Sequence, residues 1–210
     1  MRLDSLRGVS LGIETTFFNG PTTPGVAATF QAAIGRLESL GAEVVEVETP
    51  SAAASIEACL AIVFPEGTVA HDRYIEQHLG EYGDVLRQTL LAGNLYRAVD
   101  YVRAQQVRSM LRDEFGSALE RVDAIVTPTM PLVAPRYGQS DVGIGSRDVP
   151  VLEAFIKFQV VPNLTGHPAV TVPFGSEEDG MPVGIQFFGR PFDEARLLAI
   201  AELLQNAGAV

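Results

Sequence analysis

Apolar and polar residues alternate along the first fifty positions in a way that predicts a strand, a helix and a second strand. Residues 9–13 and 42–47 are short apolar runs of strand length, and apolar residues in 24–40 recur at the three-to-four-residue spacing of one helix face. Thr23 is a favourable residue for the start of that helix and Gly41 for its end. This order predicts a right-handed βαβ unit with parallel strands.

A predominantly helical segment is predicted to follow. Ser51 is a favourable N-terminal cap for a helix that runs to residue 79, with an interruption expected at Pro65 because proline lacks the backbone N–H of a helix interior. Two more helices are predicted over residues 85–91 and 94–119. The second of these is expected to carry a broad apolar face formed by Leu95, Val99, Val102, Met110 and Leu111.

Two strongly apolar runs near the end of the chain predict the central strands of a sheet. Residues 169–174 and 182–188 are rich in β-branched and aromatic residues, and a short connection containing Gly180 joins them. This arrangement is typical of two adjacent antiparallel strands. Because both runs are almost continuously apolar, we expect each strand to be covered on both faces.

Further elements complete a prediction of one mixed sheet with flanking helices. Residues 123–127 predict a short strand, residues 151–161 predict a short helix, and Asp193 is expected to cap a last helix. Residues 132–150 are rich in glycine and proline and show no periodicity, so they predict a long loop of a kind that is usually functional, docked on a partner surface or mobile. The sequence therefore predicts a single α/β domain over residues 1–210.

Composition and charge narrow the class of protein. With 210 residues and 47% hydrophobic content, the chain can bury one sizeable core. The formal net charge of −11 argues against nonspecific binding of nucleic acid or anionic membranes, because phosphate contacts need clustered Lys and Arg. The apolar runs are shorter than the ~20 residues of a membrane span, and the first residues lack a signal-peptide pattern. The single cysteine, Cys59, is interpreted as a buried apolar residue, so we expect a cytoplasmic protein.

Several segments together resemble the amidase signature family. The most specific are residues 163–173, with the order Asn-Leu-Thr-Gly-x-Pro-Ala-x-Thr-Val-Pro, and residues 180–186, with Gly-x-Pro-Val-Gly-Ile-Gln. Both resemble the carboxyl-terminal signature of that family. Residues 100–108 and 123–131 resemble it at corresponding places. The similarity extends from about Leu6 to the last helix and so covers nearly the whole chain.

The resemblance implies a family of carboxamide hydrolases whose catalytic half we do not expect in this chain. Such enzymes use a serine nucleophile, a second serine and a lysine, and a Gly/Ser-rich loop binds the oxyanion, all in their amino-terminal half. Here no serine is followed by paired glycines, and the single lysine, Lys157, is interpreted as a cation on a helix surface. We therefore expect an amidase-signature-like fold that lacks the amino-terminal catalytic half, with no catalytic residue.

Three interpretations of function remain open. The first is the carboxyl-terminal portion of an amidase that converts a carboxamide to a carboxylate and ammonia, in which this chain supplies pocket walls and scaffold but not the Ser-Ser-Lys triad. The second is a non-catalytic pseudoenzyme, or a partner of a separately encoded catalytic half. The third, an unrelated α/β hydrolase with its own serine, is disfavoured because we expect no nucleophile elbow, the sharp strand-to-helix turn that carries the serine in that class.

Thr127, Asn163 and Thr165 are the candidate substrate-binding residues. Each is a small hydrogen-bonding side chain predicted at a strand end or a sharp turn beside the sheet, where ligand contacts commonly lie. For Asn163, a hydrogen bond that holds the local loop is an open alternative.

The three histidines predict no metal site. His167 is interpreted as a loop histidine with local partners. His71 and His78 lie seven residues apart on one helix, which is not the four-residue spacing of a helical zinc site. We therefore expect neither a metal nor a cofactor.

Within the family, the resemblance favours a general amidase over the glutaminase component of the glutamyl-tRNA(Gln) amidotransferases. In that component the substrate ammonium is met by an acidic residue some seven positions before the signature asparagine; here the place falls on Ile156, with Glu153 a turn away. The expected partners are a small amide substrate, if the catalytic half is present, and either that half or a second copy of this chain. Strands that normally pair with a missing half would expose sheet edges and favour self-association.

Overall fold

A computed structural model describes residues 3–18, 20–177 and 180–208. The main sheet contains β1 (Ser10–Ile13), β2 (Glu43–Glu46), β3 (Ala124–Pro128), β6 (Ala169–Ser176) and β7 (Pro182–Phe188), and a separate hairpin is formed by β4 (Asp141–Ile144) and β5 (Arg147–Pro150). The helices are α1 (Pro24–Ser39), α2 (Ser55–His78), α3 (Asp84–Gly93), α4 (Ala98–Arg121), α5 (Val151–Ile156), α6 (Val160–Thr165) and α7 (Glu194–Ala207). Short 3-10 helices at Pro50–Ala54 and Leu79–Glu81 flank α2.

Within those ranges, a five-stranded mixed sheet organises the chain, with the strand order β2-β1-β3-β7-β6. β1 runs parallel to β2 and β3, whereas β7 runs antiparallel to β3 and β6. The predicted parallel strands around α1 and the predicted antiparallel pair near the end of the chain are confirmed. The predicted ends of α1 are also confirmed, because the Thr23 hydroxyl accepts from the Val26 N–H and Gly41 adopts a φ of +103°.

Helices cover the two faces of the sheet, which confirms the predicted α/β class. Successive side chains along β3 point to opposite faces: Val126 belongs to a buried cluster with α1 and α7, and Ile125 to a cluster with α2 and α4. Phe187 and Phe188 divide between the same two clusters on β7. The strands β3 and β7 therefore lie at the centre of the core.

The prediction that both late strands are covered on both faces is correct for β7 and wrong for β6. β6 lies at an edge of the sheet, where Val172 and Phe174 are buried but Thr171 and Pro173 are exposed. Ala169 and Pro173 make the open face of β6 apolar in composition without making it buried, so the apolar run is misleading here. One face of β6 is uncovered as a result.

α2 differs from its prediction at two places. Ser51 lies within the 3-10 helix Pro50–Ala54, and the α-helix begins only at Ser55. Pro65 lies inside α2 without interrupting it, because packing against α3 and α4 outweighs one lost hydrogen bond. By length and composition the stretch Pro50–Glu81, with a mean hydropathy of 1.4 in its most apolar window, meets the minimum for a membrane span, a minimum that core helices of soluble proteins also meet.

The apolar face predicted for the helix after residue 94 is mostly exposed, so that prediction is wrong. Leu95, which is 82% exposed, lies before the first turn of α4, and Met110 is 46% exposed. Val99 and Val102 are exposed as well, and Leu111 is the member of the predicted set that is buried. The side of α4 that meets the core contains Ala104, Leu111, Phe115, Ala118 and Leu119. Periodicity does not distinguish this side from the other because both carry apolar residues.

The segment 132–150, predicted as a loop, contains the β4–β5 hairpin. The two strands pair antiparallel, and Gly145 in their turn adopts a φ of +63°. Val142 and Ile144 pack with Leu132 in a small buried cluster of their own. Strands of four residues are too short to show a clear alternation in sequence.

Two short helices, α5 and α6, replace the single helix predicted over residues 151–161. α6 ends at Gly166, which adopts a φ of +77° and whose N–H donates back into the helix. Arg108 of α4 donates from Nε to the Leu164 carbonyl oxygen at 2.6 Å, which holds α6 against α4. Asn163 therefore lies on a helix and not in a loop.

Candidate functional site

A polar cavity of about 370 Å³ lies where α6 meets β6 and β7. Its lining residues are Thr129, Gln159, Pro162, Asn163, His167, Ala169, Thr171 and Gln186. A cavity of this volume, with several hydrogen-bonding groups around it, suits a small polar ligand. It is the candidate functional site of the described part of the chain.

A row of three polar side chains crosses the sheet beside this cavity. Thr127 on β3, Gln186 on β7 and Thr171 on β6 are directly opposite one another in the strand register, so they share one face. The Gln186 amide nitrogen Nε2 donates to the Thr127 hydroxyl and to the Phe158 carbonyl oxygen, both at 3.3 Å. Thr127 is fully buried, so it fixes the orientation of an amide that lines the cavity.

The floor of the cavity depends on a close approach at Gly184. A Cβ atom at Gly184 would lie 2.6 Å from the Thr129 Oγ1 atom, which no ordinary contact allows. The Thr129 N–H donates to the Gly184 carbonyl oxygen at 2.8 Å, and the Thr129 and Thr171 hydroxyls are 3.3 Å apart. The absence of a side chain at Gly184 thus allows the Thr129 and Thr171 hydroxyl groups to approach each other across β7.

The protonation state of His167 follows from its hydrogen bonds. The Thr165 hydroxyl donates its single proton to the Val161 carbonyl oxygen at 2.8 Å, and His167 Nδ1 lies 2.7 Å from the same hydroxyl. Nδ1 must therefore carry the proton, and Nε2 is left as an acceptor. Burial, and the nearby charge of Arg112, lower the pKa of His167, which keeps the ring neutral.

The structure places one of the predicted substrate-binding residues on the cavity wall and the other two directly behind that wall. Asn163 lines the cavity and is exposed to it, whereas Thr127 and Thr165 are buried and each contacts a residue that lines it, Gln186 and His167 respectively. Their role in substrate binding stays a prediction. His167 does have the local partner that was expected, but that partner is a side-chain hydroxyl and the ring forms part of the cavity wall.

Sequence reasoning missed Gln186 and Gln159. A signal for Gln186 existed, because it is the polar residue within the apolar run 182–188, and a buried polar side chain in a strand needs partners. Gln159 lies between two short helices and had no comparable signal.

Three other candidate groups do not form a catalytic or metal centre within residues 3–18, 20–177 and 180–208. His71 contacts the Tyr82 hydroxyl at 2.9 Å and His78 contacts the Glu81 carboxylate at 2.8 Å, and no group of three His, Cys, Asp or Glu side chains is placed to hold a metal. Gly8–Gly12 reads Gly-x-Ser-x-Gly, a literal match to the nucleophile elbow that the sequence prediction overlooked. Ser10 nevertheless begins β1 and is not on a strand-to-helix turn.

Lys157 differs from the prediction of a cation on a helix surface. It lies at the end of α5, half-buried, with its ammonium over the rings of Phe17 and Phe158. Burial lowers its pKa, and the charge of Glu153 partly opposes that shift.

Cys59, predicted to be buried, is half-buried, and burial raises its pKa.

The sheet, its helical layers and the polar cavity define an α/β protein with a small-molecule-sized site beside an open sheet edge. Residues 2–198 match the protein family described as Amidase, and the chain belongs to that family. The resemblance found in the sequence is thereby confirmed.

Known relatives extend well beyond the length of this chain. It is 34% identical over 205 residues to a fatty acid amide hydrolase of Medicago truncatula, covering 97% of this chain and 34% of the relative. It is also 34% identical over 233 residues to a glutamyl-tRNA(Gln) amidotransferase component of Deinococcus radiodurans, and this match covers 99% of this chain and 47% of the relative. A crystal structure of an amidase superposes on this chain with a TM-score of 0.89 at 31% identity, and the match covers 97% of this chain and 46% of the amidase. The chain spans less than half the length of these relatives.

Proposed function

We propose that this chain forms the carboxyl-terminal portion of an amidase that hydrolyses a carboxamide to a carboxylate and ammonia. The observation that carries the proposal is the polar row Thr127, Gln186 and Thr171, which ends in the cavity lined by Asn163. A carboxamide offers both a donor and an acceptor, and this wall offers amides and hydroxyls that can meet both. The cytoplasm is its proposed location.

In the proposed reaction this chain binds and orients the amide but does not attack it. Attack on a carboxamide needs an activated nucleophile and donors for the oxyanion. The sequence has no serine followed by paired glycines, and its single lysine lies over two phenylalanine rings beside a different cavity. The serines and the lysine of the family would come from a catalytic half that packs beside the open face of β6.

An activity assay of the chain alone tests this division of labour. The 210-residue chain is expected to show no turnover of simple carboxamides above a heat-inactivated control, because binding without a nucleophile does not lower the barrier enough. Turnover by the chain alone that survives Lys157→Ala would contradict the proposal. Turnover that disappears with Lys157→Ala would instead assign Lys157 a catalytic role.

Complementation with a separately expressed catalytic half of an amidase tests the binding role. Asn163→Ala is expected to raise KM by about tenfold, the cost of one lost hydrogen bond to an amide, with a smaller change in kcat. Asn206→Ala, at an exposed asparagine of α7, is the matched control and should leave KM unchanged. An unchanged KM in Asn163→Ala would remove this residue from the site.

A second candidate, one component of a multi-subunit amidotransferase, is favoured by the similarity to the glutamyl-tRNA(Gln) amidotransferase component of Deinococcus radiodurans. The place expected for the ammonium-binding carboxylate holds Ile156, and Glu153 lines a different cavity from Asn163. We therefore prefer a general amidase. A complemented enzyme that hydrolyses free glutamine much faster than simple aliphatic amides would reverse this preference.

A further inference from the structure

A second cavity, of about 140 Å³, lies between the β4–β5 hairpin, the turn before α1 and α5. Its apolar wall includes Pro21, Ile144 and Val149, and its charged groups are Arg147, Glu153 and Lys157. The tip of the hairpin closes one side, since a Cβ atom on Gly145 would lie 3.4 Å from the Pro21 Cβ atom. The cavity is thus built from three separate parts of the chain.

The ammonium group of Lys157 is poorly compensated in this cavity. Its Nζ atom lies 5.1 Å from the ring centre of Phe158 and 5.8 Å from that of Phe17, so the ring faces provide part of its stabilisation. Among residues 3–18, 20–177 and 180–208, neither Lys157 nor Arg147 takes part in an ion pair. A half-buried cation that has lost water without gaining a close anion is stabilised by any ligand that supplies one.

We propose that this cavity binds the carboxylate of a small organic anion between Lys157 and Arg147, with the short apolar part of the anion against Ile144 and Val149. Two cations and one carboxylate give the cavity a local positive charge in a chain whose formal net charge is −11. Arginine and lysine are the side chains that bind carboxylates most directly. The apolar wall selects an aliphatic monocarboxylate over a more highly charged anion.

The side chain of Glu153 limits which anions the cavity can bind. It is exposed at the rim, where it repels a second negative charge on the ligand, and its charge partly opposes the lowering of the Lys157 pKa by burial. The affinity is expected to fall as the pH rises through the lowered pKa of Lys157, because the neutral amine no longer attracts a carboxylate. The site rests on the geometry of this chain and not on the proposed amide hydrolysis.

Because Lys157 is the only lysine, a labelling experiment on the unaltered chain reports this cavity alone. The rate of acylation of Lys157 by an amine-selective reagent is measured by peptide mass spectrometry, with the amino-terminal amine as internal reference. Butyrate is expected to protect Lys157 with a half-effect on the order of 1 mM, which suits a ligand of about six heavy atoms. 1-Butanol, the neutral analogue of the same length, is expected to leave the rate unchanged. Equal protection by both, or by neither, would overturn the proposal.

Titration calorimetry of butyrate with variants identifies the charged partners. Lys157→Met and Arg147→Gln should each weaken binding at least tenfold, and Arg73→Gln, which removes an exposed charge on α2, should not. Circular dichroism checks that each variant is folded, and the labelling result on the unaltered chain decides the question if one is not. Undiminished binding in both folded cavity variants would overturn the assignment.

Discussion

At the scale of single residues, the protonation state of His167 depends on two neighbours and on burial rather than on its position in the sequence. Thr165 fixes which ring nitrogen carries the proton, Arg112 disfavours a second proton, and burial acts in the same direction. A neutral ring whose Nε2 atom is an acceptor can receive a hydrogen bond from an N–H group placed in the cavity. The lowered pKa also links this residue to the stability of the fold.

The stability of the chain is expected to decrease on acidification through His167. Its pKa is lowered in the folded chain relative to the usual value of about 6.5, so between these two values the unfolded chain binds more protons and acid favours unfolding. His167→Gln should lose less stability than the unaltered chain between pH 7.5 and pH 5, as measured by urea unfolding. His78→Gln, at an exposed histidine, is the control and should keep the full pH dependence. An equal loss of stability in His167→Gln would show that other groups are responsible.

Sequence reasoning found Asn163 but not its neighbours, and the reason is physical. Asn163, Gln186 and Thr171 all lie in the recognised motifs, but of the three only Asn163 is predicted at a sharp turn, where ligand contacts commonly lie. The cavity wall formed by Gln186 and Thr171 depends on which residues of β6 and β7 are opposite each other. That register is set by the connection and by packing, and a shift of one residue would turn every side chain to the other face.

At the scale of elements, α2 and α3 pack unusually closely around Gly93. The Thr68 hydroxyl lies 3.0 Å from the Phe64 carbonyl oxygen and 2.6 Å from that of Leu90, and this bridge occupies the space beside the glycine. A Cβ atom at Gly93 would lie 2.0 Å from the Thr68 Oγ1 atom and 2.3 Å from the Phe64 carbonyl oxygen. The contact with the Phe64 carbonyl oxygen is with backbone and cannot be relieved without moving one helix.

Gly93→Ala is therefore expected to destabilise the chain by about 2 kcal/mol or more, because overpacking against backbone cannot be relieved by a rotamer change. The matched control is Gly116→Ala in α4, where a new Cβ atom meets nothing within 4 Å. That substitution should stabilise by up to ~1 kcal/mol, since alanine favours a helix interior. Thermal or urea unfolding of both variants measures the difference. A similar change in the free energy of unfolding in Gly93→Ala and Gly116→Ala would mean that α2 and α3 separate easily.

The elements that sequence reasoning predicted correctly are those with strong local signals. The Thr23 cap and Gly41 define α1, and the apolar run 182–188 defines β7 at both ends. Errors arose where tertiary packing overrides a local rule, as at Pro65, or where strands are very short, as in the β4–β5 hairpin. Predicting the continuous helix at Pro65 or the β4–β5 hairpin would require knowledge of contacts between distant parts of the chain.

At the scale of the whole molecule, an open sheet edge and an exposed apolar helix surface lie on one chain. β6 offers unpaired backbone groups along its outer side, and Leu95, Val99 and Val102 are exposed around the start of α4. Monomeric proteins usually protect such edges with charge or cover. β6 has no Lys or Arg among Ala169–Ser176.

The isolated chain is accordingly expected to self-associate through β6. Size-exclusion chromatography with light scattering should show dimers or larger species, and Thr171→Lys should shift them toward monomer because a charge on an edge strand opposes pairing. Gln106→Lys adds the same charge on the exposed side of α4 and is the control. A greater effect of Gln106→Lys would place the contact on the helices, and a stable monomer of the unaltered chain would contradict the prediction altogether.

The pairing of β3 with β7 also determines when during synthesis the sheet can be completed. Pro128, at the end of β3, and Phe188, at the end of β7, are 60 positions apart in the sequence. A ribosome that adds ~5–20 residues per second needs about 3 to 12 s to cross that interval. The parallel strands formed first must wait that long with β3 unpaired on one side, so the nascent chain is open to wrong pairing until its last strand emerges.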